Sequence, residues 1–177
     1  IRNYENLRKE AVKFRPDFII HLAARTDLDS DNIADYDSNT VGTKNLVKLV
    51  NEFQSLTKII FCSSKFIAPN GYIVSDQFDM IPHTTYGESK KLGEQFIWQN
   101  EPKCDWCIIR PTSIWGPYFD EPYKNFFEFI SKGHYFRIGQ KECYKTYGFV
   151  GNAVYQITGL LEADTRDLKS KVFYLGD

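Results

Sequence analysis

A tyrosine with a lysine four residues on, Tyr86-Gly87-Glu88-Ser89-Lys90, follows the serine pair Ser63-Ser64 by about one loop's length. Residues four apart share a face of a helix, so the phenol and the ammonium can occupy one small volume. A free phenol ionises near pH ~10, and bringing it to neutrality takes about three units, roughly 4 kcal/mol of preferential stabilisation of phenolate. An adjacent cation is the usual source of such a shift. A serine hydroxyl at the end of a neighbouring strand would complete an acid/base site for a carbonyl or carbinol. With 11 Tyr and 15 Lys in 177 residues, chance alone supplies roughly one such spacing. The surrounding elements decide what the pair means.

Those elements alternate. Asn3 to Arg15 reads as a helix with Asn3 as its N-cap and Pro16 as its stop. Asp17 to Ala24 and Lys58 to Cys62 are short apolar runs of buried-strand type. Between them, Thr40 to Phe53 has helical spacing. Residues 67–83 read as loop, Tyr86 to Trp98 as helix, and Asp105 to Arg110 as a third strand. Pro111 to Pro122 reads as irregular, Tyr123 to Lys132 and Asn152 to Glu162 as helices, and Val172 to Leu175 as a fourth strand. This pattern predicts an α/β fold, a doubly wound parallel sheet of Rossmann-like type covered on both faces. Ligands of such sheets sit beyond the carboxyl ends of the strands. Ala23-Ala24, Ser63-Ser64 and Pro111-Thr112-Ser113 all fall there.

Composition narrows the classes. At 177 residues the chain suits one domain, with a 42% hydrophobic share and 16% aromatics that serve a core. The net charge of −1 and the lack of a basic stripe exclude nucleic acid and anionic membranes as expected partners. No apolar run approaches the ~20 residues that span a bilayer, and no secretory leader is evident. Four cysteines, Cys62, Cys104, Cys107 and Cys143, are too few for a disulfide framework, and Cys104-Asp105-Trp106-Cys107 reads as structural thiols. A reducing cytoplasm is the expected compartment. No His, Cys, Asp and Glu cluster has metal spacing. His21 reads as a hydrogen-bonded core histidine, His83 and His134 as loop residues, and Arg110 as one half of a structural ion pair.

With these residues placed, the chain resembles the extended short-chain dehydrogenase/reductase family, and within it the NAD-dependent epimerase/dehydratase group acting on nucleotide sugars. The resemblance rests on six motifs in the family's order. They are residues 16–24 (PDFIIHLAA), Asn39-Thr40-Val41-Gly42-Thr43, Phe61-Cys62-Ser63-Ser64, Tyr86-Gly87-Glu88-Ser89-Lys90, Ile109-Arg110-Pro111 with Trp115-Gly116-Pro117, and the tail from Lys145 to Ile157.

The resemblance implies roles for individual residues. Tyr86 would be the catalytic acid/base and Ser64 would hydrogen-bond the reacting oxygen, with Ser63 as the fallback in a loop of variable register. Lys90 would lower the Tyr86 pKa and hold the nicotinamide ribose. Leu22, Ala23, Ala24, Asn39 and Ser63 would line the dinucleotide, and Pro111 would flank the nicotinamide. Thr112 and Ser113 would face the substrate. Lys145 stands where relatives carry an arginine on the substrate diphosphate, without the bidentate fork of that residue. The implied cofactor is NAD, with NADP as the alternative, and the implied assembly is a homodimer through residues 40–53 and 86–98.

Two departures shape the expectation. The family's phosphate-cradling glycine turn is not among the 11 glycines, so residues 1–177 are expected to form a single, incomplete domain, lacking the first strand-turn-helix. Residues 1–116 would be the remainder of the dinucleotide-binding sheet with the catalytic helix. Residues 117–177 would be mostly substrate-binding, with a returning helix and strand. The residues after Ser64 are Lys65 and Phe66, not the acidic pair of sugar dehydratases, which disfavours elimination of water. The expected activity is epimerisation of a nucleotide-activated sugar by transient oxidation. A nucleotide-sugar ketoreductase or dehydrogenase and a non-catalytic dinucleotide sensor are the alternatives.

Overall fold

Asn3 opens the first helix, α1 (Tyr4–Phe14), its side chain accepting from the Asn6 N–H at 2.9 Å. Arg15 closes it in a left-handed conformation (φ 52°) just before Pro16. The chain then runs through β1 (Phe18–His21), α2 (Asp37–Glu52), β2 (Lys58–Cys62), α3 (Thr85–Asn100) and β3 (Asp105–Pro111). It continues through β4 (Ser113–Trp115), α4 (Tyr123–Ser131), β5 (Tyr147–Phe149), α5 (Val150–Glu162), α6 (Thr165–Leu168) and β6 (Lys171–Leu175). Short 3-10 turns at Ile33–Tyr36 and Lys65–Ile67 lead out of the loops that follow β1 and β2. This computed structural model describes residues 1–53, 55–119, 123–134 and 145–177. Cys143 lies outside them, whereas Cys62, Cys104 and Cys107 are free thiols.

Four strands form a parallel sheet in the order β1-β2-β3-β6, with Ile20 beside Ile60, Ile60 beside Cys107 and Ile109 beside Phe173. One face packs Ile59, Phe61, Trp106 and Ile108 against Leu46, Val47 and Val50 of α2 and Ile97 of α3. The other packs Ile60, Cys107 and Ile109 against Leu168 and the inner side of α5. The expected parallel sheet with helices on both faces is present. Lys58, buried at the start of β2, ties the second layer down by donating to the carbonyls of Leu160, Leu161 and Ala163 at 3.3, 2.6 and 2.7 Å. These are the carbonyls a helix end leaves without intrahelical partners.

Two local expectations differ from what is found. β1 is shorter than the apolar run around it and is not fully buried: Phe18, Ile20 and Leu22 are 52, 41 and 56% exposed. Among the described residues β1 ends the strand order and pairs with β2 alone. Residues 113–115, expected to be irregular, form β4, which pairs in parallel with β5 as a separate two-stranded sheet. Three-residue strands carry too little periodicity to be seen in sequence.

Candidate active site

The carboxyl ends of β1, β2 and β3 lie side by side, and α3 starts over them. Ser63 extends the β2 ladder by one step, its N–H donating to the Ile109 carbonyl at 2.8 Å. Ser64 remains extended and caps the following turn, its Oγ accepting from the Phe66 N–H at 3.1 Å. Thr84 caps α3 in the same manner, its hydroxyl accepting from the Gly87 N–H at 3.0 Å. Gly87 sits against that first turn: a Cβ there would meet the Phe66 carbonyl oxygen at 2.3 Å and the Pro82 ring at 3.0 Å. Only a residue without a side chain lets the helix approach this closely, and that approach brings Tyr86 to Ser64.

Tyr86 is buried, with the Phe66 ring edge-on at 5.9 Å and the Tyr36 ring at 6.3 Å between centroids. Lys90, equally buried, holds its Nζ 5.9 Å from the Tyr86 ring centroid and donates to the Cys62 carbonyl at 2.9 Å. The pair and its serine therefore come together as expected. The electrostatics do not follow the expectation. Burial pushes the Tyr86 phenol up to about 12, and a hydrogen bond with Ser64 only partly opposes it. Desolvation likewise lowers the proton affinity of Lys90, with Cys62 and Glu94 acting the other way. In this chain on its own the phenol is a neutral acid, because loss of water outweighs the hydrogen bond with Ser64.

The residues read as cofactor-binding divide. Leu22 and Ala23 are exposed and Ala24 half-buried at the β1 end, next to Ser63, and Pro111 ends β3 beside Leu175. Asn39 is buried instead. Its Oδ1 accepts from the Arg25 N–H at 2.8 Å, and its Nδ2 donates to the Arg25 carbonyl and the Ser89 hydroxyl, both at 2.9 Å. With its amide committed in this way, Asn39 pins the loop after β1 to α3. Arg25 also forms a paired contact with Asp27, at 2.7 and 3.0 Å, and stacks over Tyr36, whose hydroxyl donates to the Asp27 carbonyl. Arg25, Asp27, Tyr36 and Gly87 were missed in the sequence. Only the tertiary fold places them here.

Beyond the end of β3, a cleft of about 300 Å³ is lined by Lys65, Arg110, Thr112, Thr146, Gly176 and Asp177. Thr112 lies on it, its hydroxyl bonded to the Thr146 carbonyl, and Lys65 reaches across to the Thr146 hydroxyl at 3.2 Å. Ser113 does not line it, since it is buried in β4 opposite Tyr147. The exposed Lys145 packs its Nζ over the Tyr123 and Tyr147 rings, 5.4 and 5.3 Å from their centroids. Arg110 is fully buried in a two-point pair with Glu94, at 3.0 and 2.7 Å, and donates further to Gln77 and Tyr174. The structural ion pair expected of it is present.

The donor set suits a dinucleotide. Lys90 has one hydrogen-bond acceptor among the described residues, leaving N–H groups for a ribose diol, and the small residues Ala23 and Ala24 leave room beyond β1. Among the described residues no group of His, Cys, Asp and Glu could hold a metal ion, and no helix is long and apolar enough to cross a membrane.

A parallel α/β sheet with a serine, a tyrosine and a lysine gathered at its strand ends defines the class of short-chain oxidoreductase folds. Residues 1–175 match the profile of the NAD dependent epimerase/dehydratase family, and the chain belongs to that family. It is 30% identical over 145 residues to an N-acetyl-alpha-D-glucosaminyl-diphospho-ditrans,octacis-undecaprenol 4-epimerase of Escherichia coli O157:H7, covering 78% of this chain and 43% of that one. A 3-beta-hydroxysteroid dehydrogenase of Mycolicibacterium neoaurum is 29% identical over 132 residues, covering 67% of this chain and 36% of that one. The crystal structure of Thermus thermophilus UDP-glucose 4-epimerase in complex with NAD superposes with a TM-score of 0.77 at 21% identity. That match covers 99% of this chain and 61% of the other. The chain spans less than half the length of the two curated relatives named here.

Proposed function

We propose that the protein carrying this chain is an NAD-dependent epimerase of a nucleotide-activated sugar, acting by transient oxidation at a sugar carbon. The observation that carries this is the buried Tyr86 set against Ser64, with Lys90 one turn further along the same helix. Family membership and epimerases among the relatives support it. NAD, when bound, would supply the hydride acceptor and, in its oxidised form, a positive charge.

Tyr86 takes the proton of the sugar hydroxyl and later returns it. Ser64 donates to the same oxygen through both steps. Lys90 holds the ribose diol with an N–H that Cys62 leaves free. Leu22, Ala23, Ala24 and Ser63 form the dinucleotide wall, and Pro111 closes the nicotinamide side. Thr112 and Lys65 face the sugar, and Lys145 is the residue toward the diphosphate. Lys65 and Phe66, in place of an acidic pair after Ser64, leave no base for eliminating water, which supports epimerisation over dehydration.

Residues 1–116 are read as the cofactor half and residues 117–177 as mostly the substrate half, together with the returning α5 and β6. A cytoplasmic homodimer is the assembly that accompanies this reading. The steroid dehydrogenase among the relatives supports a second one, a net dehydrogenase on the same site.

The test is Tyr86→Phe in the full protein. It is expected to remove most turnover of UDP-sugars while leaving NAD binding by calorimetry intact. Unchanged turnover overturns the assignment. NADH released in step with product identifies the dehydrogenase, and NAD binding without turnover of any nucleotide sugar identifies a sensor.

A further inference from the structure

Beneath Lys90 lies a cavity of about 10 Å³, walled by His21, Asn39, Thr43, Ser63, Lys90 and Glu94. That is the space of a single water, which takes about 10–15 Å³ by this measure. Most of the polar groups around it are committed elsewhere. The Asn39 amide serves Arg25 and Ser89, the Thr43 hydroxyl donates to the Asn39 carbonyl, and both Glu94 oxygens accept from Arg110. Two atoms are not committed: His21 Nε2 and Ser63 Oγ are buried without a hydrogen-bond partner. Their residues are each only 6% exposed. Lys90 has N–H groups beyond the one on the Cys62 carbonyl.

The unmet valences are complementary. A backbone hydrogen bond with Ala23 raises the proton affinity of the His21 ring; with Nε2 unpartnered, that bond falls to Nδ1 and leaves Nε2 as the acceptor of a neutral ring. The hydroxyl of Ser63 can give or accept, and the ammonium of Lys90 can only give. We propose that one water bridges these three groups, accepting from Lys90 and donating to His21 Nε2 with Ser63 as its third partner. His21 is thereby a positioning residue that fixes the Lys90 ammonium under Tyr86. This rests on the reading above only in treating Lys90 as part of the site.

Histidine suits the position because burial, reinforced by the Lys90 charge, depresses its pKa to about 4, which keeps the acceptor unprotonated at neutral pH. The titratable and charged neighbours of Lys90 are His21 on β1, Cys62 on β2, and Tyr86 and Glu94 on α3, with Glu94 paired to Arg110 of β3. From α2 only the uncharged Asn39 and Thr43 reach the cavity.

The experiment is NMR on the full protein, unliganded and at neutral pH, with 15N-histidine and 15N-lysine labels. The His21 resonances are assigned by their loss in His21→Gln and His21→Leu. Wild type is expected to give a neutral His21 whose unprotonated Nε2 accepts a hydrogen bond, and a Lys90 ammonium protected from exchange. His21→Gln, which retains an acceptor, should keep that protected signal. His21→Leu should lose it and raise the acid dissociation constant of Lys90 about tenfold, one pKa unit. A His21 protonated at Nε2, or a Lys90 signal and pKa unchanged in His21→Leu, overturns the proposal. If His21→Leu does not fold, the wild-type and His21→Gln spectra decide it. None of these readouts needs turnover, so a failed epimerase assay and a failed water bridge are told apart.

Discussion

Asn39 Nδ2 donates to the Ser89 hydroxyl at 2.9 Å, and Ser89 in turn donates to the Tyr86 carbonyl at 2.6 Å. One buried amide thus joins the loop after β1 to the helix turn that presents the phenol. Asn39→Ala leaves the part-buried Arg25 N–H and carbonyl without this partner, for a combined cost of about 1–3 kcal/mol. Urea denaturation should report a loss of that size. NAD affinity should fall before maximal turnover does, since Ser64, Tyr86 and Lys90 are untouched. Equal affinity for NAD in the variant would contradict the linkage.

The phenol gives a second prediction. In the unliganded protein Tyr86 ionises at about 12, against an ordinary value of 10.0. Folding stability is therefore lost as pH rises from 10 towards 12, where the unfolded chain gives up this proton and the native one resists. Tyrosinate absorbance, taken as the difference from Tyr86→Phe, should show the late titration. Saturating NAD should move it down by a unit or more, because a ring cation beside Lys90 favours phenolate. No movement on NAD binding would count against Tyr86 as the base.

Arg110 and Glu94 predict a stability effect. Burial pulls the guanidinium proton affinity down, and Glu94 more than restores it. Removing one partner leaves the other charged and dry, so Glu94→Gln or Arg110→Met should each cost about 3–5 kcal/mol. The paired change Glu94→Leu with Arg110→Met should cost less than either alone. A double variant as unstable as the sum of the two would refute this coupling.

Gly87→Ala tests the close approach of α3. The added methyl meets a backbone oxygen at 2.3 Å, which cannot swing away as a flexible side chain can. The helix start must lift, taking Tyr86 from Ser64. A drop in kcat of at least about tenfold is expected, equivalent to about 1.4 kcal/mol of lost transition-state stabilisation, with circular dichroism of the helices preserved. Full activity would show that the approach is not needed.

His21 sets the acid limit. Its pKa falls from 6.5 to about 4 on folding, so the native state resists a proton that the unfolded state accepts. Stability holds above pH 6.5 and is lost as pH falls to about 4, by up to about 3 kcal/mol at ~1.4 kcal/mol per unit. Denaturation series at pH 7 and pH 5 should differ in that direction, and His21→Gln should flatten the difference.

The sheet and the clustering of Ser64, Tyr86 and Lys90 were legible in the sequence because each leaves a local mark. Continuous apolar runs such as Lys58 to Cys62 mark strands. Asn3 marks a cap, and the Tyr86/Lys90 spacing marks a shared helix face. What stayed hidden is what only assembly decides. The pKa of Tyr86 depends on how much water Tyr36 and Phe66 exclude, and neither lies near it in sequence. Asn39 was expected to line the dinucleotide, and its amide is held by Arg25 and Ser89; Ser113 was expected to face substrate, and it lies buried in β4 opposite Tyr147. Gly87 passed as an ordinary helix residue, because a missing Cβ has meaning only beside the Phe66 carbonyl.

Residues 1–177 taken by themselves present β1 as an edge strand. Its outer backbone N–H and C=O groups are a ready template for another extended segment, and Phe18, Ile20 and Leu22 add an apolar stripe alongside. Refolding yield for these 177 residues should therefore fall with concentration, as strand addition between molecules competes with closure within one.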